Sequence, residues 1–204
     1  HGSTFLKQAL SDLIGDREKL ARPVDPARFE ADTGALFAWL DALHPNLWRG
    51  GKAFPQSVAA LRQLLADGEV DIAFSFNPGD ASAAIAAGEL PDTVRSFVFA
   101  SGTIGNSHFV AIPFNANAPA AAKVLANFLL SPEAQARKED PAIWGDPTVL
   151  NVAALPDADK ARFAAIDLGK AGLSPSALGP TLPEPHPSWM EALEAAWAKR
   201  YGAR

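Results

Sequence analysis

The fold of this chain is decided by the stretch Asn106-Ser107-His108-Phe109-Val110-Ala111-Ile112-Pro113-Phe114 and by the later run Asn127-Phe128-Leu129-Leu130-Ser131-Pro132-Glu133-Ala134-Gln135. The first stretch is rich in apolar residues and predicts a strand over 108–114. The second run ends one predicted helix, over 120–130, and starts another at Ser131-Pro132. Ser is a favoured N-cap and Pro suits the first helical turn. A strand followed by a helix pair favours a mixed α/β architecture.

The chain before this stretch alternates between helical and strand-like patterns. Apolar residues recur at helical spacing in four segments, and short β-type runs lie between or after them. The glycine-rich loop 101–106 then leads into the strand at 108. This alternation predicts an α/β layer with partly parallel strands. The predicted helices are 5–14, 25–45, 57–68 and 81–87, and the predicted strands are 70–76 and 94–99.

The chain after this stretch is predicted to be mainly helical. A helix is expected over 157–166, the proline-rich segment 169–187 is expected to be extended, and a last helix is expected from Ser188, with Glu191 completing a capping box.

The chain therefore divides in character near residue 106, with a mixed α/β part before it and a mainly helical part after it. A helical layer without a sheet beneath it, and a start at His1 without Met, lead us to expect that an upstream segment is missing.

Composition narrows the possible functions. The chain has 204 residues, 48% of them hydrophobic, and a net charge of −5. Nucleic-acid binding needs a basic face, so nucleic acid is not an expected partner. The chain has no cysteine, which excludes disulfides and thiolate metal sites. The four histidines lack metal-ligand spacing, and no nucleophile-elbow motif occurs. We expect no metal, no cofactor and no catalytic residue.

Two segments resemble type II periplasmic solute-binding proteins. One is Leu64-Leu65-Ala66-Asp67-Gly68-Glu69-Val70-Asp71-Ile72-Ala73, and the other runs from Gly105 to Gln135. Shorter stretches resemble the YnjB-type family of ABC-transporter binding components. These stretches lie at 41–49, 75–79, 144–150 and 184–189. The resemblance covers nearly the whole chain, although full-length members carry a sheet-containing lobe before the segment that starts at Gly2.

The resemblance implies an α/β, type II periplasmic-binding-protein-like fold. It places an α/β ligand-binding lobe over 1–105, and a hinge return with the mainly helical part of a second lobe over 106–204. The sheet-containing N-terminal segment of that second lobe would then be missing. Two lobes would capture a small molecule and deliver it to the permease subunits of an ABC importer. It also implies a periplasmic, monomeric protein without chemistry of its own. Two alternatives remain open, since fold does not fix function. The chain could be an enzyme built on the same bilobal fold, or the ligand-sensing domain of a transcription regulator.

Candidate binding residues follow from the places where such folds bind ligands. Sites lie at the carboxyl ends of strands and at helix N-termini, where backbone N–H groups are free. Each candidate also has an ordinary structural interpretation as a cap or a turn. The candidates are Ser3, Thr4, Ser57, Phe76, Asn77 and Asn106.

Two tryptophans complete the candidate set. Trp48 and Trp144 lie in loop-like sequence beside charged residues, whereas the other tryptophans fall on helical apolar stripes. An exposed indole can attract an organic cation, or it can simply cover a loop. The acidic charge balance and the aromatic content favour a small organic cation as the ligand.

Overall fold

Helices make up most of the structure, a computed structural model that describes residues 2–202. Two short strands, β1 (Thr103–Ile104) and β2 (Thr181–Leu182), pair in parallel with Thr103 opposite Thr181. None of the described helices is both long enough and apolar enough to span a bilayer. The helices are α1 (Gly2–Leu13), α2 (Phe29–Leu43), α3 (Val58–Ala66), α4 (Asp80–Ala86), α5 (Pro119–Leu129), α6 (Pro132–Glu139), α7 (Asp157–Ala164) and α8 (Pro187–Tyr201).

The chain divides into two compact units, and both are discontinuous in sequence. The first unit takes His1–Phe74, Val98–Asn106 and Gly179–Arg204, and the second takes Ser75–Phe97 and Ser107–Leu178. The lobe boundary that the sequence places after residue 105 stays a prediction.

The core of the first unit lies where α1, α2 and α8 meet. Leu10, Leu36, Leu40, Trp189 and Leu193 are almost completely buried there. The apolar spacing of each helix puts these side chains on one face, which is the pattern of an amphipathic helix packed on a core. Burying each large apolar side chain contributes about 1.5–3 kcal/mol, so the three helices are held together mainly by this cluster.

A buried amide of α1 holds β1 in place. The Gln8 side chain donates from Nε2 to the Gly102 carbonyl (3.0 Å) and accepts at Oε1 from the Ile104 amide (2.8 Å). Gly102 has φ +105°, and a Cβ there would lie 2.8 Å from the Pro180 carbonyl oxygen. Only glycine fits this close approach. The glycine-rich loop 101–106 therefore needs glycine at position 102.

Charged and phenolic groups join the ends of α2 and α8. Arg200 and Tyr201 both donate to the Asp41 carboxylate, Tyr201 at 2.7 Å. Hydrogen bonding to Arg200, and then to Tyr201, lowers the pKa of Asp41. Burial, reinforced by the hydrogen bond to Asp41, raises the pKa of Tyr201 to about 12. Tyr201 therefore stays neutral and keeps donating throughout the physiological range.

The second unit is held by small residues and buried polar side chains. Ala84 and Ala171 are buried, and the Ser82 hydroxyl donates to the Leu168 carbonyl (2.6 Å). The buried Gln135 amide donates to the Leu129 carbonyl (2.7 Å) and accepts from the Val149 amide (3.1 Å). Such polar side chains are favourable inside only when their hydrogen bonds are satisfied, as they are here.

The helix-capping predictions are partly confirmed. Ser57 caps α3 by accepting from the Ala60 amide (3.1 Å), and Ser131 caps α6 by accepting from the Ala134 amide (3.2 Å). Two other predicted caps are wrong. Ser3 lies inside α1. Ser188 lies inside α8, because Pro187 takes the first helical position and His186 is the cap.

The three predicted strands at 70–76, 94–99 and 108–114 are not strands in the structure. Their apolar composition is typical of strands, but a strand exists only when a neighbour accepts and donates its backbone hydrogen bonds. Within residues 2–202, only β1 and β2 have such neighbours. The observed structure is mostly helical with a small parallel sheet.

Candidate ligand-binding site

A polar turn before α4 presents Asn77 in the second unit. The Asn77 side chain accepts at Oδ1 from the Gly79 amide (2.9 Å), which is an Asx turn. The Asn77 amide in turn donates to the Ser75 hydroxyl (3.1 Å). These local bonds fix the direction of the Asn77 side chain and leave its Nδ2 group able to donate to a residue outside the turn.

A second turn, after α6, presents Trp144. The Asp140 carbonyl accepts from the amides of Ile143, Trp144 and Gly145, each at 2.9 Å. The Asp140 carboxylate also accepts from the Ala142 amide (2.8 Å). One aspartate therefore organises the whole turn. The Trp144 side chain that it carries is 50% exposed.

The two turns are in direct contact. Asn77 Nδ2 donates to the Trp144 carbonyl at 2.6 Å. Next to this bond the backbones of Gly79 and Gly145 touch, and a Cβ on Gly79 would lie 2.7 Å from the Gly145 Cα. The site therefore requires glycine on both sides, and Gly145 also has φ +77°.

Lys138 and His108 lie beside the Trp144 ring. Lys138 Nζ lies 5.4 Å from the ring centroid, and it binds Asp146 (2.5 Å) and the Pro147 carbonyl (2.6 Å). Both partners of this ion pair are largely buried. His108 Nε2 lies 3.4 Å from the same Asp146 carboxylate, and its ring centroid is 5.3 Å from that of Trp144. The His108 side chain is mostly exposed.

This arrangement suits non-covalent binding. The indole offers a flat apolar face that a ligand can stack on, and the neighbouring imidazole nitrogens can donate or accept. Lys138 and Asp146 neutralise each other, so they fix the geometry without imposing a large net charge. In residues 2–202, no group of His, Cys, Asp or Glu side chains is placed to hold a metal ion.

Of the eight predicted site residues, the structure joins Asn77 and Trp144. Phe76 precedes Asn77 in the same unit and is exposed. The other five lie in the first unit, at separate places. The Ser3 hydroxyl donates to Glu194, Thr4 lies in the first turn of α1, and Ser57 is occupied as a cap. Asn106 is the exposed end of the glycine-rich loop.

Trp48 forms a cluster of its own. Its indole N–H donates to the Glu69 carboxylate (2.9 Å), and the Arg49 guanidinium lies 4.3 Å from the ring centroid. Arg49 has φ 52°, which is unusual for a residue with a side chain. With its N–H and one face engaged inside the unit, Trp48 has less to offer a ligand than Trp144.

Sequence reasoning missed three residues of the site. The spacing of the histidines indicates no metal site and so does not mark His108. Asp146 lies two residues after Trp144 without forming a motif, and Lys138 has no signal in the sequence. These residues come together only because α6 and its turn fold beside residue 108, a contact that neither helical periodicity nor a short motif encodes.

Comparisons with known proteins agree with the resemblance found in the sequence. A family model described as bacterial extracellular solute-binding protein matches residues 4–165. Protein YnjB of Escherichia coli (strain K12) is 49% identical over 201 residues, which are 98% of this chain and 50% of YnjB. The chain thus spans about half the length of this relative. No solved structure matches it significantly. Because the family match covers most of the sequence, this chain belongs to the bacterial extracellular solute-binding protein family.

Proposed function

We propose that this chain is part of the periplasmic solute-binding component of an ABC importer, and that it holds a small molecule beside Trp144 for delivery to membrane permease subunits. The observation that carries the proposal is the half-exposed Trp144 indole, which is flanked by His108 and by the Lys138–Asp146 ion pair. The backbone of Trp144 is held by Asn77, which donates to its carbonyl. Family membership supports binding rather than chemistry as the role of this site.

We further propose that the solute is a small organic cation. A tryptophan face attracts cations through its quadrupole, and Lys138 Nζ lies within cation–π distance of the Trp144 ring, 5.4 Å from its centroid. The net charge of −5 also favours the approach of a cation over that of an anion. Because His108 is exposed next to the indole, it supplies a hydrogen-bonding group for the polar end of the solute.

Thermal-shift screening against organic cations, sugars and anions tests the proposal. A solute at 100 times its Kd stabilises the folded chain by about 2.7 kcal/mol, which raises Tm by about 5–10 °C for a protein of this size. Trp144→Ala should abolish the shift, because it removes the stacking face. Trp48→Ala is the matched control, since it deletes the other candidate indole from the first unit, and it should leave the shift unchanged.

Three outcomes would contradict the proposal. A shift that depends on Trp48 instead of Trp144 would move the site to the first unit. Turnover of a shifting compound into a product would show an enzyme rather than a binding protein. A shift produced by anions alone would refute the organic-cation assignment while leaving the binding role in place.

A further inference from the structure

The turn that follows α2 in the first unit takes a left-handed path. Its successive residues Arg49, Gly50 and Gly51 have φ of 52°, 63° and 69°. A Cβ on Gly51 would lie 2.8 Å from the His44 carbonyl oxygen, so that position requires glycine. Arg49 is the one residue other than glycine with a positive φ in the part of the chain that the structure describes. The strain of the turn is therefore concentrated at Arg49. We call residues 48–52 the Arg49 turn.

The Arg49 turn is fixed to the core of the unit. The Leu47 amide donates to the His44 carbonyl (3.1 Å), and the Gly50 amide donates to the Leu47 carbonyl (2.8 Å). The His44 ring stacks on Tyr201 of α8, with 3.7 Å between the ring centroids. A strained residue persists only where its surroundings hold it in place, and such residues cluster at functional sites. Glycine at position 49 would relieve the strain, so the presence of a long charged side chain there points to a use for that side chain.

The Arg49 side chain is held in one place but is not paired with an acid. Its guanidinium lies over the Trp48 ring, 4.3 Å from the centroid, and the Trp48 indole is itself fixed by its bond to Glu69 (2.9 Å). Arg49 is exposed. No acceptor among residues 2–202 lies within hydrogen-bonding distance of its guanidinium. Because stacking uses a face of the planar group, the N–H groups at its edge stay available.

A second cation lies on the same turn. The Lys52 amide donates to the Arg49 carbonyl (3.4 Å), which closes the turn and brings the two basic residues together. Lys52 is exposed, and its ammonium has no partner among the described residues. The Glu69 carboxylate is engaged by the Trp48 indole. The local charge therefore favours an anion at this turn, although the net charge of the whole chain is −5.

We propose that the Arg49 turn binds a small oxyanion, a phosphate or a carboxylate, through the N–H edge of the Arg49 guanidinium. The planar fork of arginine matches the oxygens of these anions and can donate to two of them at once. Stacking on Trp48 and the fixed backbone place the fork before the anion arrives, which reduces the entropy lost on binding. This site lies in the first unit, so the inference is independent of the solute that binds beside Trp144 in the second.

Arg22 of the same unit is the matched control. It is also exposed, and its guanidinium has no partner among the described residues. Its backbone is extended, with φ −110°, so it is not strained. No aromatic ring in the described part of the chain lies under it. The two arginines carry the same charge and differ in whether the side chain is fixed in advance.

Nuclear magnetic resonance of the 204-residue chain, labelled with ¹⁵N, tests the proposal. The chain is titrated with sodium phosphate and, separately, with sodium acetate, while sodium chloride keeps the ionic strength constant. We expect saturable shifts of the Arg49 Nε–H signal and of the Gly50 and Gly51 amides with at least one of the two anions. The Trp144 indole signal should not move, which separates this site from the one in the second unit.

Four variants assign the binding to the fixed guanidinium. Arg49→Gln removes the charge, and Arg49→Lys keeps the charge but removes the fork, so each should weaken binding by at least about tenfold. Arg49→Gly should also abolish binding, and because glycine fits the left-handed backbone it should keep the fold, as measured by circular dichroism and Tm. Arg22→Gln should leave the affinity unchanged.

Three results would overturn the proposal. Shifts that rise linearly with both anions and never saturate would show that no site is present. Equal losses of affinity in Arg49→Gln and Arg22→Gln would show that anions respond only to the overall charge. An affinity that Arg49→Gly leaves unchanged would show that the guanidinium takes no part.

Discussion

At Gly145 the candidate site depends on the absence of a side chain. The residue has φ +77°, and a Cβ there would lie 2.9 Å from the Gly79 Cα. Gly88 has a similar φ of +74° but nothing within 4 Å of its Cβ position. The two positions therefore separate the cost of a left-handed backbone from the cost of a close approach.

Gly145→Ala should destabilise the chain more than Gly88→Ala. The left-handed backbone costs about 1–2 kcal/mol in both variants, and the clash with Gly79 should add about 1–3 kcal/mol to the first alone. Urea unfolding followed by tryptophan fluorescence measures both values. Equal losses in the two variants would mean that the Asn77 and Trp144 turns do not touch in solution.

Individual residues were predictable where one local bond defines their role. The Ser57 cap follows from a hydroxyl placed directly before an apolar run, and the Ser131 cap follows from a hydroxyl placed directly before Pro132. A capped helix start involves only a few residues. The bond between Asn77 and Trp144 joins residues that are far apart in sequence. The sequence marked both residues as candidates but held no sign that they touch. His108 was not predicted, because its role depends on Trp144 and Asp146 folding beside it.

At the scale of elements, the contact between α2 and α8 contains a built-in probe, since Tyr201 is the single tyrosine of the chain. Its hydroxyl binds Asp41, and its pKa is raised to about 12 mainly by burial. A group whose pKa is higher in the folded state stabilises that state fully below its unfolded pKa of about 10. The contribution is then lost as pH rises through 12.

A pH titration followed by phenolate absorbance should therefore give a midpoint of about 12 in the folded chain, and of about 10 in urea. Asp41→Asn should lower the folded midpoint, because the carboxylate disfavours the phenolate. Tyr201→Phe should remove the part of the stability loss between pH 10 and 12 that comes from this group. A titration midpoint of about 10 in the folded chain would show that Tyr201 does not join α8 to α2.

Helices were predicted better than strands, and the reason is physical. A helix satisfies its backbone within one segment, so spacing and caps in the local sequence are enough to reveal it. A strand needs a neighbouring strand to bind its backbone N–H and C=O groups. The runs at 70–76, 94–99 and 108–114 have β-type composition, but none of them is paired with a strand in this structure. The paired strands β1 and β2 are only two residues each and lie far apart in sequence, so no local pattern marks them.

At the scale of the whole molecule, the buried apolar residues are distributed unevenly between the two units. One unit has a packed apolar centre, and the other leaves large apolar side chains of 108–114 and α5 exposed. Folding is favourable only when buried apolar area offsets conformational entropy. We therefore expect the second unit to be the less stable of the two.

The account depends above all on a small molecule being held beside Trp144 without being transformed. Native mass spectrometry of this chain with an organic cation identified by thermal shift measures this directly. We predict one unaltered ligand per chain, retained by Trp48→Ala and lost in Trp144→Ala. An altered ligand mass, or equal retention in both variants, would contradict the account.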